Sequence, residues 1–259
     1  MSISTNKMNY DNVKKYYEAS DATEGSNPVF NYDTYSSVGK ALRMACSPLT
    51  AIYNVFHSSM GYVGIPATMK TWENENPGST DEWSHKCFTL DVDGYKIDAT
   101  ILGNRGASSS KRWVLGSFGN GGCYQEEMYD SKYFKPLLTE LKANAIVFNY
   151  TGVDKSSGPP NRKAMAKAYE IMLKILEDKT DGLGAEEIVG YGHSIGGGVQ
   201  SDGIKNHKFK PTIKYVFIKD RTFSNASKVF GNCSFTVLDF KSLKCAYGIL
   251  EIDKKFCIS

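Results

Sequence analysis

Histidine is scarce in this chain: four residues in 259, at positions 57, 85, 193 and 207. No two of the six cysteines form a Cys-x-x-Cys pair, so the usual spacing of a zinc site is missing, and the plain reading is free thiols in a reducing compartment. Neither sign of charge dominates. Thirty-one Lys+Arg against 28 Asp+Glu leave +3, too small a surplus to wrap nucleic acid. No run of 18 apolar residues exists, and Met1 to Asn27 has no apolar core of a signal peptide. The most apolar stretch, Ala45 to Ile65, is broken by Pro48, Asn54, His57, Ser58 and Ser59, and reads as a buried or amphipathic segment with little case for a membrane surface. The polar bias of a disordered chain is absent too. A 41% hydrophobic share with 16 Tyr and 13 Phe supplies a real core.

What is present sorts into three parts. Residues 1–80 lack strong periodicity and end in the turn-rich Asn74 to Thr80, so they read as a partly disordered N-terminal arm, its first thirty residues loose. Residues 81–231 form the core. Cys87 to Val92 and Tyr95 to Leu102 alternate around Asp93-Gly94 and predict a β-hairpin. Trp113 to Phe118 and Ala145 to Phe148 read as buried strands, separated by a helix from about Gln125 to Ala143. Lys163 to Asp178 is an amphipathic helix with Ala164, Ala168, Met172, Ile175 and Leu176 on one side. Glu187 to Tyr191 and Ile213 to Ile218 are further strands, with a helix from Ile195 between them. Such alternation predicts an α/β sheet, largely parallel, with helices on both faces. Residues 232–259 hold three of the six cysteines and form an atypical tail.

One motif carries chemistry. Gly192-His193-Ser194-Ile195-Gly196 fits G-x-S-x-G and lies between a buried strand and a helix. Glycines two before and two after the serine let the backbone make a very sharp turn, holding Ser194 strained with its Oγ exposed. The helix N-terminus beneath supplies amide donors. The plainer alternative is a glycine-rich turn with an incidental serine. Phe118-Gly119-Asn120-Gly121-Gly122 follows the first buried strand, and its amides can face an oxyanion: Asn120 or Gly121, paired with Ile195.

From about Cys87 to Ser227 the chain resembles the esterase, lipase and peptidase branch of the α/β-hydrolase superfamily. The resemblance lies in the Asp-Gly hairpin, the Gly119 to Gly122 loop (with Phe118 where a histidine is usual), Tyr150-Thr151-Gly152-Val153-Asp154-Lys155-Ser156-Ser157-Gly158-Pro159, the elbow at Gly192 to Gly196, and Asp220-Arg221-Thr222-Phe223-Ser224. More broadly the sequence is similar to hydrolase-like proteins of obligate intracellular bacteria. The resemblance implies a serine nucleophile acting on an ester or acyl substrate, without a cofactor.

It also implies a histidine after the last strand, and none lies beyond His207. His193 is inside the elbow, its side chain expected to point away from Oγ. His207 is expected at the opposite edge of the sheet, and His57 precedes the core. In the family pattern the elements that follow the strand ending at Asp220 take roughly 70 residues; 65 residues follow Ser194, and only 39 follow Asp220. The expectation is therefore a hydrolase core lacking its last strand–helix units and impaired in catalysis. Asp239 and Asp220 are the candidate acids, the latter with a structural alternative. An active serine hydrolase using a non-standard base, or a non-catalytic binding protein, stays open. Lys205, Lys208, Lys210, Lys214 and Lys219 read as a solvated edge rather than a nucleic-acid surface.

Overall fold

The computed structural model describes residues 13–19, 27–32, 82–119, 123–129, 133–158 and 162–222, with isolated positions 41, 45 and 80. The elements in chain order are α1 (Val13–Glu18), β1 (Val29–Tyr32), β2 (Trp83–Val92), β3 (Tyr95–Asn104), β4 (Arg112–Ser117), α2 (Tyr124–Tyr129), α3 (Phe134–Leu141), β5 (Asn144–Phe148), α4 (Arg162–Glu177), β6 (Glu187–His193), α5 (Ile195–Ile204) and β7 (Lys214–Asp220). The strands form one sheet in the order β1-β2-β3-β5-β4-β6-β7. Only β3 runs against both its neighbours, β2 and β5; every other pairing is parallel.

The expected hairpin is β2–β3. Its turn has positive φ at both Asp93 (53°) and Gly94 (89°), the conformation that makes Asp-Gly a hairpin signal. Gly94 N–H donates to Asp91 Oδ1 (2.8 Å). In the central strands, period-two alternation sends successive residues to opposite faces. Leu115, Ile146 and Ile188 pack with α4 and α5, through Met172, Ile175, Leu176, Ile195 and Val199. Val114, Ala145, Val147 and Val189 pack with Tyr124 and Met128 of α2 and Phe134 and Leu138 of α3. Helices therefore cover both faces, as the sequence predicts. All five residues expected on the inner side of the 163–178 helix are buried.

Two expectations differ from the structure. The single helix over 125–143 is two, α2 and α3. Pro136 explains the second start: in the first turn of α3 its missing N–H costs nothing, whereas inside a longer helix it would break a hydrogen bond and clash. The first thirty residues are also not uniformly loose. Val13 is fully buried, and β1 pairs in parallel with β2, Phe30 opposite Leu90. Alternation again gives the reason, since Phe30 and Tyr32 turn inward while Val29 and Asn31 face out. Phe30 stacks edge-on against Phe88 at 5.7 Å. The lysines at 205, 208, 210, 214 and 219 are exposed. Among the described residues no helix is long and apolar enough to cross a membrane. The tail from 232 onward, where the missing strand–helix units are expected, lies outside the described residues, as does most of 38–65.

Phe30→Ala measures how firmly the N-terminal strand belongs to the core. The expected loss in urea denaturation is about 3–5 kcal/mol, as for other buried aromatics. A loss below about 1 kcal/mol would return β1 to the status of a loose arm.

Candidate active site

Strand β6 ends and α5 begins with one residue between them. Ser194 has φ 53° and ψ −121°, a conformation costing a non-glycine residue about 1–3 kcal/mol and kept only where surroundings enforce it. Sterics show why the flanking residues are glycine. A Cβ on Gly196 would fall 1.9 Å from the Ser117 carbonyl oxygen, and one on Gly192 would fall 2.7 Å from Gly197 Cα. Ser194 N–H donates to the Asp220 carbonyl (2.9 Å). The Ser194 carbonyl accepts from Gly197 N–H (3.2 Å) and from Thr222 Oγ1 (2.7 Å). Ile195 opens α5, so its N–H has no intrahelical acceptor and is available to an oxyanion. Among the described residues nothing is hydrogen-bonded to Ser194 Oγ.

Ser194, Ile195, Gly192, His193, Gly196 and Asp220 thus gather where β6 and β7 end. Asn120, Gly121 and Asp239 lie outside the described residues. Gly119, next to the first two, faces the elbow: a Cβ there would lie 3.6 Å from Ser194 Cβ and 3.2 Å from His193 Cδ2.

No described histidine bonds the serine. His193 Nδ1 is 2.9 Å from Asp220 Oδ2. Asp220 is buried, and the same oxygen accepts from Tyr191 OH at 3.2 Å. Burial opposes ionisation of Asp220, but the hydrogen bonds from His193 and Arg221 outweigh it and hold the carboxyl below its usual range. Asp220 is therefore committed to the elbow's own neighbours. His207 lies beyond α5, bonded to Glu177 at the end of α4 (2.6 Å), an oxygen that also accepts from Tyr215 OH (2.6 Å). That cluster is at the edge where strands enter the sheet. His85 is buried on β2, and His57 lies outside the described residues. No group of three His, Cys, Asp or Glu able to hold a metal occurs among the described residues.

Sequence reasoning missed a buried polar network beside the elbow. Asp98 Oδ2 accepts from Gln125 Nε2 (3.1 Å) and Asn149 Nδ2 (3.0 Å). Gln125 Nε2 also reaches Asp154 Oδ2 (2.9 Å), and Asp98 N–H donates to Ser156 Oγ (2.8 Å). Asn149 Oδ1 accepts from Tyr124 N–H (2.9 Å), while Tyr150 OH donates to the Phe118 carbonyl (2.7 Å). Two consecutive residues at the end of β5 therefore hold both flanks of the turn between β4 and α2. Burial, with the Asp154 carboxylate adding to it, pushes the Asp98 carboxyl up to about 6. The available signal was Asp98 itself, a lone charge inside the otherwise uncharged Ile97 to Leu102.

A family model described as Chlamydia CHLPS protein (DUF818) matches residues 79–238. No curated protein matches the sequence. Among solved structures, an α/β hydrolase from Vibrio vulnificus superposes with a TM-score of 0.52 at 16% identity, covering 88% of this chain and 73% of that one. A predicted CIB-like hydrolase from Thermoplasma acidophilum gives a TM-score of 0.41 at 17% identity, over 54% of this chain and 64% of that one. An esterase from Pyrococcus furiosus gives 0.41 at 18% identity, over 55% and 54%. The chain thus spans between about half and two thirds of the length of these last two. The fold is that of the α/β hydrolases.

Two variants check the geometry. Gly196→Ala forces the elbow off the Ser117 carbonyl and is expected to cost about 2 kcal/mol or more in urea denaturation; a neutral outcome would contradict the close approach. For Asp98, a folded pKa above the unfolded value means that its contribution is present at low pH and lost as pH rises through about 6. The stability of Asp98→Asn relative to wild type is expected to improve by about 1–3 kcal/mol between about pH 4 and about pH 7. Parallel stability curves would show that Asp98 titrates normally.

Proposed function

The chain belongs to the Chlamydia CHLPS protein family, and from that premise we propose that it derives from a serine esterase or lipase-type hydrolase and is impaired in acyl transfer. The observation that supports this reading most is the contrast at Ser194. Its backbone is strained as a nucleophile elbow requires, yet the adjacent His193 is turned to Asp220. In this reading Ser194 Oγ attacks an ester or acyl carbonyl, and the Ile195 N–H, with the amide of Asn120 or Gly121, holds the oxyanion. Water then releases the acyl group. Without a base on Oγ the hydroxyl is a poor nucleophile, and the remaining rate comes from the oxyanion donors alone. Asp220 serves the elbow, which leaves Asp239 as the other candidate acid. A small-molecule ester fits such a site, and no cofactor enters the chemistry. A reducing, cytoplasmic setting fits the free thiols of Cys87 and Cys123.

A second reading, a non-catalytic binding protein, is favoured by the lack of any hydrogen bond between a described imidazole and Ser194 Oγ, His193 being bonded to Asp220 instead. A fluorophosphonate probe separates the two. Its reaction forms an Oγ–P bond as fluoride leaves and the serine proton passes to solvent. Slow labelling that disappears in Ser194→Ala is the expected result. Labelling as rapid as that of an intact serine hydrolase would mean that a base is present. No labelling of a folded sample would leave the binding reading.

A further inference from the structure

The last residue of β7, Asp220, and the two that follow it make an unusual set of contacts with the elbow. Both backbone polar groups of Ser194 are taken by this one segment: its N–H by the Asp220 carbonyl (2.9 Å) and its C=O by the Thr222 hydroxyl (2.7 Å). Between these contacts Arg221 itself has positive φ, 48°. Two residues of positive φ, each just past the end of one of two paired strands, thus lie next to these contacts. Thr222 also fills the space over the first turn of α5. A Cβ on Gly197 would fall 2.2 Å from Thr222 Oγ1 and 2.5 Å from Thr222 Cβ.

We propose that Thr222 is a positioning residue for the Ser194 site, its hydroxyl fixing the plane of the Ser194–Ile195 peptide. The carbonyl of Ser194 and the N–H of Ile195 belong to one rigid amide unit. A donor on the oxygen therefore sets the direction in which the N–H points. It also polarises the unit, which strengthens the N–H as a donor to a developing oxyanion. The Gly197 N–H shares the same carbonyl at 3.2 Å, but a helix-turn amide cannot set the plane independently of the helix. Thr222 approaches from β7, outside α5, and ties the elbow to its neighbouring strand. The threonine methyl group packs against Gly197 and holds the hydroxyl in place: a Cβ on Gly197 would come within 2.9 Å of Thr222 Cγ2.

The inference rests on Ser194 acting as a nucleophile, so its test has two arms. Thr222→Val keeps the shape and removes the donor, while Thr222→Ser keeps the donor. In the first arm, the maximal rate of fluorophosphonate inactivation in Thr222→Val is expected to fall about tenfold or more, with the half-saturating probe concentration within about twofold of wild type. Thr222→Ser is expected to recover most of that rate. Equal rates in wild type and Thr222→Val overturn the proposal while leaving the nucleophile reading intact. The second arm does not depend on acylation. Hydrogen exchange of the Ser194 and Gly197 amides is expected to accelerate about tenfold in Thr222→Val and to stay near wild type in Thr222→Ser. If wild-type protein is not labelled at all, the nucleophile reading fails, and the exchange rates still decide the strap. Exchange unchanged in Thr222→Val overturns it.

Discussion

Helix α5 approaches the ends of β4 and β6 so closely that a side-chain carbon at 192 or 196 would overlap backbone atoms. Most of the site depends on that approach. It leaves one residue for the reversal of direction, so Ser194 takes a conformation that a non-glycine residue holds only under constraint. The Ser194 N–H is then met by the end of β7, and the Ser194 C=O by Thr222 just beyond it together with the Gly197 N–H of α5. The parallel pairing of β6 with β7, which puts His193 opposite Asp220, is part of the same arrangement. Close packing of helix on sheet becomes the placement of one hydroxyl.

The two paired histidines illustrate how differently one side chain can be used. His207, Glu177 and Tyr215 close a hydrogen-bonded cluster at the edge where chains enter the sheet, with the side chains of His207 and Glu177 both buried. His193 sits at the opposite edge, partly open to solvent on a buried carboxylate. Each has its acid partner. Of the two, only His193 lies at the end of the sheet where an α/β fold gathers its ligands, and among the described residues it is bonded to Asp220 and not to the Oγ of the neighbouring serine.

The order of strands and helices was legible because the central strands are bounded by glycine-rich turns and α4 repeats its apolar residues every three or four positions. The elbow was legible for a steric reason: the spacing of Gly192 and Gly196 around Ser194 records the clearance that the backbone needs. Other features were not. The strand at Val29–Tyr32 has only four residues, too few for alternation to stand out. Pro136 signalled a new helix start, but the apolar spacing of Tyr133, Leu137 and Leu141 concealed it. Asp98, Gln125, Asn149 and Asp154 are far apart in sequence and meet only when β3, α2 and β5 are assembled. Thr222 lies within the family-like segment Asp220 to Ser224, yet nothing in a linear sequence tells which carbonyl a hydroxyl will reach.

The parallel pairing of β1 with β2 has a consequence for the growing chain. Val29 faces Thr89, so sixty positions separate them (89 − 29 = 60). A parallel neighbour cannot be reached by a tight turn. During synthesis β1 leaves the ribosome long before its partner, and at about 5–20 residues per second it waits several seconds with Phe30 and Tyr32 uncovered. The β2–β3 hairpin, by contrast, closes over a two-residue turn as soon as it emerges. The strand first made therefore stays unpaired until β2 emerges, and the edge of β2 stays open to other chains until the two meet.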